Sequence, residues 1–203
     1  MMTQEKGFLK AHTVFQKICD FLKSAGHDGL RLDEVERVVQ GYLAEEGRAF
    51  LQQYITDAGD GDRGETVTCE GRVLQRSKTP HERRYASIFG ELTIPRYVYS
   101  AGEKKAIEFV PLDAHLGLPA GETSYVLEDY QERLSVKNPF AKAGEDLQAI
   151  LGTSVSVATA EHMNRQMAGF AQEYHVSGLT EERTPPLCEE GELLVAAADG
   201  KGV

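Results

Sequence analysis

Asp199 is the residue of this chain best placed to do chemistry. It closes the apolar run Leu193-Leu194-Val195-Ala196-Ala197-Ala198 and is followed by Gly200-Lys201-Gly202-Val203. A carboxylate at the end of a buried strand is a rigid oxygen ligand for Mg²⁺, a hard cation. Phosphoryl transfer with two metals needs such carboxylates to clamp the attacking and leaving oxygens. The small residues Ala196, Ala197 and Ala198 would let neighbouring elements approach closely. Asp-Gly is equally the commonest two-residue hairpin turn. Gly200-Lys201-Gly202 does not complete a phosphate-binding P-loop, which needs G-x-x-x-x-G-K-[ST].

Basic residues form the second candidate set. Between Arg63 and Glu108 there are nine Lys/Arg against six Glu, whereas the remainder carries 13 against 26. The net charge of −10 excludes a generally basic nucleic-acid binder, so any such contact belongs in this middle segment. Arg72, Arg76, Lys78, Arg83, Arg84 and Arg96 are the candidates. The Asp57–Gly64 segment spaces its aspartates like a calcium loop, but the EF-hand pattern also needs a Glu at its twelfth position and flanking helices.

Other bulk features bound the class. With 41% hydrophobic and 27% charged residues over 203 positions, one or two folded domains are expected. Cys19, Cys69 and Cys188 are odd in number and widely spaced, which fits reduced thiols rather than a disulfide framework. No stretch approaches the roughly 18 apolar residues of a membrane span. The first residues lack a signal-peptide apolar region, and a cytoplasmic protein with no membrane partner is expected.

The elements that must position these residues read as α+β. Residues 1–60 form a helical region. Phe8, Leu9, Ala11, Phe15, Ile18 and Leu22 mark a first helix stopping at Gly26. A second helix runs from Asp33, with Val35, Val38, Val39, Tyr42, Leu43, Phe50, Leu51, Tyr54 and Ile55 as its apolar stripe. Asp57–Gly64 reads as a linker. Residues 64–108 form a small antiparallel ribbon, with short strands at Thr66–Cys69 and Arg72–Gln75 and a hairpin turning at Gly90-Glu91. Pro95 marks an edge or a bulge.

Residues 109–180 read as helical. Phe140–Leu151 carries an apolar face, Gly152-Thr153-Ser154-Val155 turns, and Ser156 caps a helix holding Ala160, Met163, Met167 and Phe170. This is the helix-turn-helix plan, and also that of a plain αα-hairpin. As a recognition helix it would present Thr159, Glu161, His162 and Arg165 to DNA. Thr184-Pro185-Pro186 and the following glutamates form a second linker, and residues 190–203 the last strand.

Taken together, Arg84–Ile94, Phe109–Asp113, Leu116–Pro119, Leu151–Ser156 and Ala198–Val203 resemble, in order, the N-terminal part of insertion-sequence transposases of the Kra-type family. The resemblance spans roughly residues 66–203, and order and spacing carry it. It implies an RNase H-like fold whose first strand is residues 190–203, and DDE chemistry, in which two Asp and one Glu bind two Mg²⁺. Asp199 matches the first of these acids, as catalytic residue and metal ligand. Glu189, Glu190 and Glu192 precede the same strand and cannot replace the others. The chain then reads as the truncated front of a bacterial transposase, inactive alone and nucleoid-associated when bound to the element ends. Relatives carry paired cysteines in the ribbon. Here only Cys69 and His81 remain, so a degenerate ribbon without zinc is expected. Two other readings stay open: a DNA-binding or regulatory remnant without catalysis, and an oligomerisation module built on the N-terminal helices, with a homo-oligomer as partner.

Overall fold

The structure, a computed structural model, describes residues 8–103 and 105–180. Within it the chain is α+β: six helices and small antiparallel sheets among the described residues. It divides into two compact units, Met1–Met163 and Asn164–Val203. Every element through Leu151 belongs to the first unit. The segments expected as a final strand and its linker, and Asp199 with them, lie outside the described residues.

Helices α1 (Leu9–Asp28) and α2 (Leu32–Asp57) form the expected hairpin. The first helix runs past Gly26 and ends at Gly29, whose φ of 67° is the left-handed conformation that closes helices. Their shared seam differs from the expected stripe. Ala11, Val14, Ile18 and Ala25 are buried, while Phe8, Phe15 and Leu22 remain exposed.

Strands β1 (Thr66–Cys69), β2 (Arg72–Arg76), β5 (Tyr99–Ser100) and β6 (Ile107–Phe109) form one antiparallel sheet in the order β1-β2-β5-β6. Strands β3 (His81–Ser87) and β4 (Gly90–Arg96) form a separate two-stranded sheet. Ser87 pairs with Gly90, so the turn is Ile88-Phe89, two residues before the expected Gly90-Glu91. The Ser87 hydroxyl closes it, donating to the Gly90 carbonyl at 2.9 Å and accepting from the Phe89 amide at 3.2 Å. Phe89 then rests against α2, where a Cβ at Gly47 would lie 2.7 Å from the ring.

Both edges of this hairpin are covered, which protects them from stray pairing. The Gln52 side-chain amide of α2 bonds the Thr93 backbone on both its donor and acceptor sides, at 2.9 and 3.3 Å. On the other edge, Ala86 exchanges hydrogen bonds with Glu122 and Ser124 at 2.7 and 2.8 Å. The core beneath holds Ile55, Leu92, Ile94 and Leu112, with Leu51, Tyr85, Leu116 and Leu118 around it.

The expected linker at Asp57–Gly64 is a packed strap. Gly61 lies against Leu112, the Asp60 carbonyl accepts from the Tyr97 amide at 2.8 Å, and the buried Tyr99 hydroxyl bonds both Arg63 and Gly64. Periodicity is lost there because the chain turns, not because it is loose.

Three helices follow α3 (Pro111–Leu116): α4 (Tyr125–Ser135), α5 (Phe140–Leu151) and α6 (Val157–Thr180). Ser124 caps α4, accepting from the Leu127 amide at 3.0 Å. Helix α5 has the expected bounds and ends on Gly152 at φ 70°. Ser156 caps α6 through the Thr159 amide at 3.1 Å. No helix among the described residues is long and apolar enough to cross a membrane.

Candidate nucleic-acid interface

Strand alternation decides where the ribbon's arginines go. In β3, positions 83, 85 and 87 share a face, and their partners across the strand are Ile94, Leu92 and Gly90. Ile94 and Leu92 are buried, so Arg83 points inward with them and Arg84 points outward. By the same alternation Arg96, two residues beyond Ile94, also faces in.

Both inward arginines meet Asp113, in the first turn of α3. Arg83 Nη1 donates to Asp113 Oδ2 at 2.6 Å, and Arg96 Nη1 donates to the same oxygen. Arg83 Nη2 also donates to the carbonyls of Pro119 and Gly121. The three side chains are 8, 15 and 17% exposed for Arg83, Arg96 and Asp113. Burial lowers the pKa of Arg96, with Asp113 opposing and Arg83 adding to the shift. A guanidinium nevertheless stays charged at any accessible pH. Asp113 Oδ1 and Arg96 Nε have no hydrogen-bond partner. Arg83 and Arg96, expected at DNA, are thus engaged in a lock that ties the β3–β4 hairpin to α3 and its following loop.

Three further candidates sit at the surface beside carboxylates. Arg72 pairs with Glu108 at 2.8 Å and Lys78 with Glu103 at 3.0 Å. Arg76 pairs with Asp62 and lies 4.6 Å over the Tyr97 ring. Asp62 in turn accepts from the Gly64 amide at 2.8 Å, and that bond, then Arg76, holds its carboxyl below the usual range. Arg84 is exposed on the outer face of the hairpin, and among the described residues no ion pair engages it.

At the helical end, α5 stops on a left-handed Gly152, Ser156 caps α6, and Ala160 and Met163 of α6 are buried. Thr159 is partly spent on the cap, its hydroxyl 2.8 Å from that of Ser156. His162 is exposed. Arg165 is exposed at the start of the second unit.

Sequence reasoning missed Asp113 as a hub and overlooked Arg37 and Arg48, which line a groove with Phe89 and Gly152. Alternation was the available signal for the first: two arginines on the inward face of a hairpin require a buried acid.

Among the described residues no group of three His, Cys, Asp or Glu could hold a metal ion. With Asp199 outside them, no metal-dependent step is derived from their geometry. Comparisons of the chain with protein-family models, with curated proteins and with solved structures find no match.

Proposed function

We propose that the chain is the DNA-binding front part of a transposase-type strand-transfer protein. In this reading the outer face of the β3–β4 hairpin, through Arg84, and the N-terminal turns of α6, through His162, meet duplex DNA. Asp199 is the first of the carboxylates that the Mg²⁺ chemistry requires. One observation carries the reading. The segments that resemble the Kra-type family between Arg84 and Pro119 share one core, Leu92, Ile94 and Leu112 with Tyr85, Leu116 and Leu118, which Ile55, Leu51 and Ala58 complete.

Fluorescence anisotropy with a labelled duplex tests the DNA contact. Binding at 50 mM salt that weakens at 200 mM is expected, with a loss on Arg84→Ala and on the His162→Ala/Arg165→Ala pair. Absence of binding at the lower salt overturns the reading. A strand-transfer assay with Mg²⁺ addresses the chemistry. Two metals need more than one bridging acid, so Asp199 alone should support no strand transfer by the 203-residue chain, and Asp199-dependent cleavage would overturn that expectation of inactivity while leaving Asp199 as a ligand.

A further inference from the structure

The α1–α2 hairpin carries bulky apolar side chains outside its seam as well as within it, where the Phe21 and Tyr42 rings meet at 6.1 Å. Its inner seam is built from Ala11, Val14, Ile18 and Ala25, all buried. On its outside, Phe8 at the cap of α1, Phe15 and Leu22 on α1, and Leu43, Phe50 and Tyr54 on α2 are 42–63% exposed. Phe8, Phe15 and Leu22 follow one another at seven-residue spacing, as do Leu43 and Phe50. The antiparallel arrangement joins the two rows into one face, with the Phe8 and Phe50 rings 6.2 Å apart. Between them lies a depression lined by Phe8, Ala11, His12, Phe15, Glu46 and Phe50.

We propose that this face is a homodimer interface, closed by the same face of a second copy into a four-helix bundle. A seven-residue apolar repeat is the pattern that seats knobs of one helix in the holes of another, so the occupant is helical. A pair of antiparallel rows calls for a pair of helices. A two-fold axis parallel to the hairpin supplies that pair, placing α1 of one copy against α2 of the other, again antiparallel. The area agrees. At the exposures given, with about 200 Å² for each large apolar residue, the six side chains offer on the order of 600 Å² per copy. A specific interface takes about 600–1,000 Å² from each partner, so the face reaches the lower end of that range. The proposal is independent of the DNA reading.

Sedimentation equilibrium of the full chain tests it. At tens of micromolar the expected mass is twice 22.4 kDa. Phe15→Glu with Phe50→Glu should raise the dimer dissociation constant at least 100-fold and return the mass to that of one chain. Val73→Glu, which alters an exposed apolar residue on β2, should leave the dimer intact. A second readout uses the unaltered chain alone. If dimerisation stabilises the hairpin, Tm rises with protein concentration, whereas a monomer gives a flat line. A monomer at every concentration, or a dimer that survives the double substitution, overturns the proposal.

Discussion

Asp113 holds two guanidinium groups with one carboxylate in a site nearly closed to water. Removing one member of such a cluster leaves charge buried without its counter-ion, which costs more than the intact cluster contributes. Asp113→Ala should therefore lose about 3–5 kcal/mol in urea denaturation. Arg84→Ala, one residue from Arg83 but facing out, should stay within about 0.5 kcal/mol. A second residue-level prediction concerns pH. Burial raises the pKa of Glu132, and the charge of Asp129 adds to it; burial also raises Glu128, with Glu132 adding. Glu132 Oε1 is buried without a hydrogen-bond partner. An acid that binds its proton more tightly in the folded state stabilises fully below its unfolded pKa. That contribution is lost as pH rises through the folded value. The window opens near the ordinary 4.5 and extends upward. Glu132→Gln removes the ionisation, so its Tm at pH 7 should exceed that of the unaltered chain. Its stability should also fall less between pH 4.5 and 7. A variant less stable at pH 7 would show that the ionised carboxylate is favourable there.

The elements differ in how openly the sequence declares them. Helix α5 was legible to the residue, because Phe140, Ala143 and Leu147 keep helical spacing and Gly152 supplies the stop. Ser156 was legible as a cap for the same local reason. Ser156→Ala should cost about 1 kcal/mol in denaturant unfolding, since it orphans the Thr159 amide. What failed was tertiary. Spacing groups Phe8, Ala11, Phe15, Ile18 and Leu22 into one stripe, but it does not say which part of that stripe meets α2: the hairpin buries Ala11 and Ile18 and leaves Phe8, Phe15 and Leu22 exposed. The hairpin turn was placed on Gly90 because glycine signals turns, but Ser87 closes the loop earlier and Phe89 anchors it on Gly47. The Asp57–Gly64 strap illustrates the same limit. Its glycines signal turns correctly, while the contact of Gly61 with Leu112, 51 positions later, leaves no local trace. Gly61 has φ 75°, and a Cβ there would meet the Leu112 amide nitrogen at 2.9 Å. Gly61→Ala should destabilise by at least about 1–2 kcal/mol from the backbone strain alone. A true linker would tolerate the change, so an unaltered midpoint in urea would show that the strap is not fixed.

A net charge of −10 sets the terms on which the whole molecule could meet DNA. Sequence alone offers seven cationic candidates: Arg72, Arg76, Lys78, Arg83, Arg84, Arg96 and Arg165. If each neutralised a phosphate, log affinity would fall against log salt with a slope of about −6. The fold changes that count. Arg83 and Arg96 are consumed by Asp113, and Arg72, Arg76 and Lys78 each stand beside a carboxylate that also repels phosphate. Arg84 remains as an exposed cation that no ion pair engages among the described residues, so the expected slope is far shallower than −6, with about one unit of it from Arg84. Arg84→Ala should flatten it by about one, and Arg72→Ala should leave it nearly unchanged. Opening a surface ion pair costs at most about 1 kcal/mol, so a rich array of phosphates could in principle break the three pairs and recruit them. A slope steeper than about −5 would report that event and return the ribbon to the interface. The shallow slope would place the contact on the hairpin's outer face and the capped helix instead.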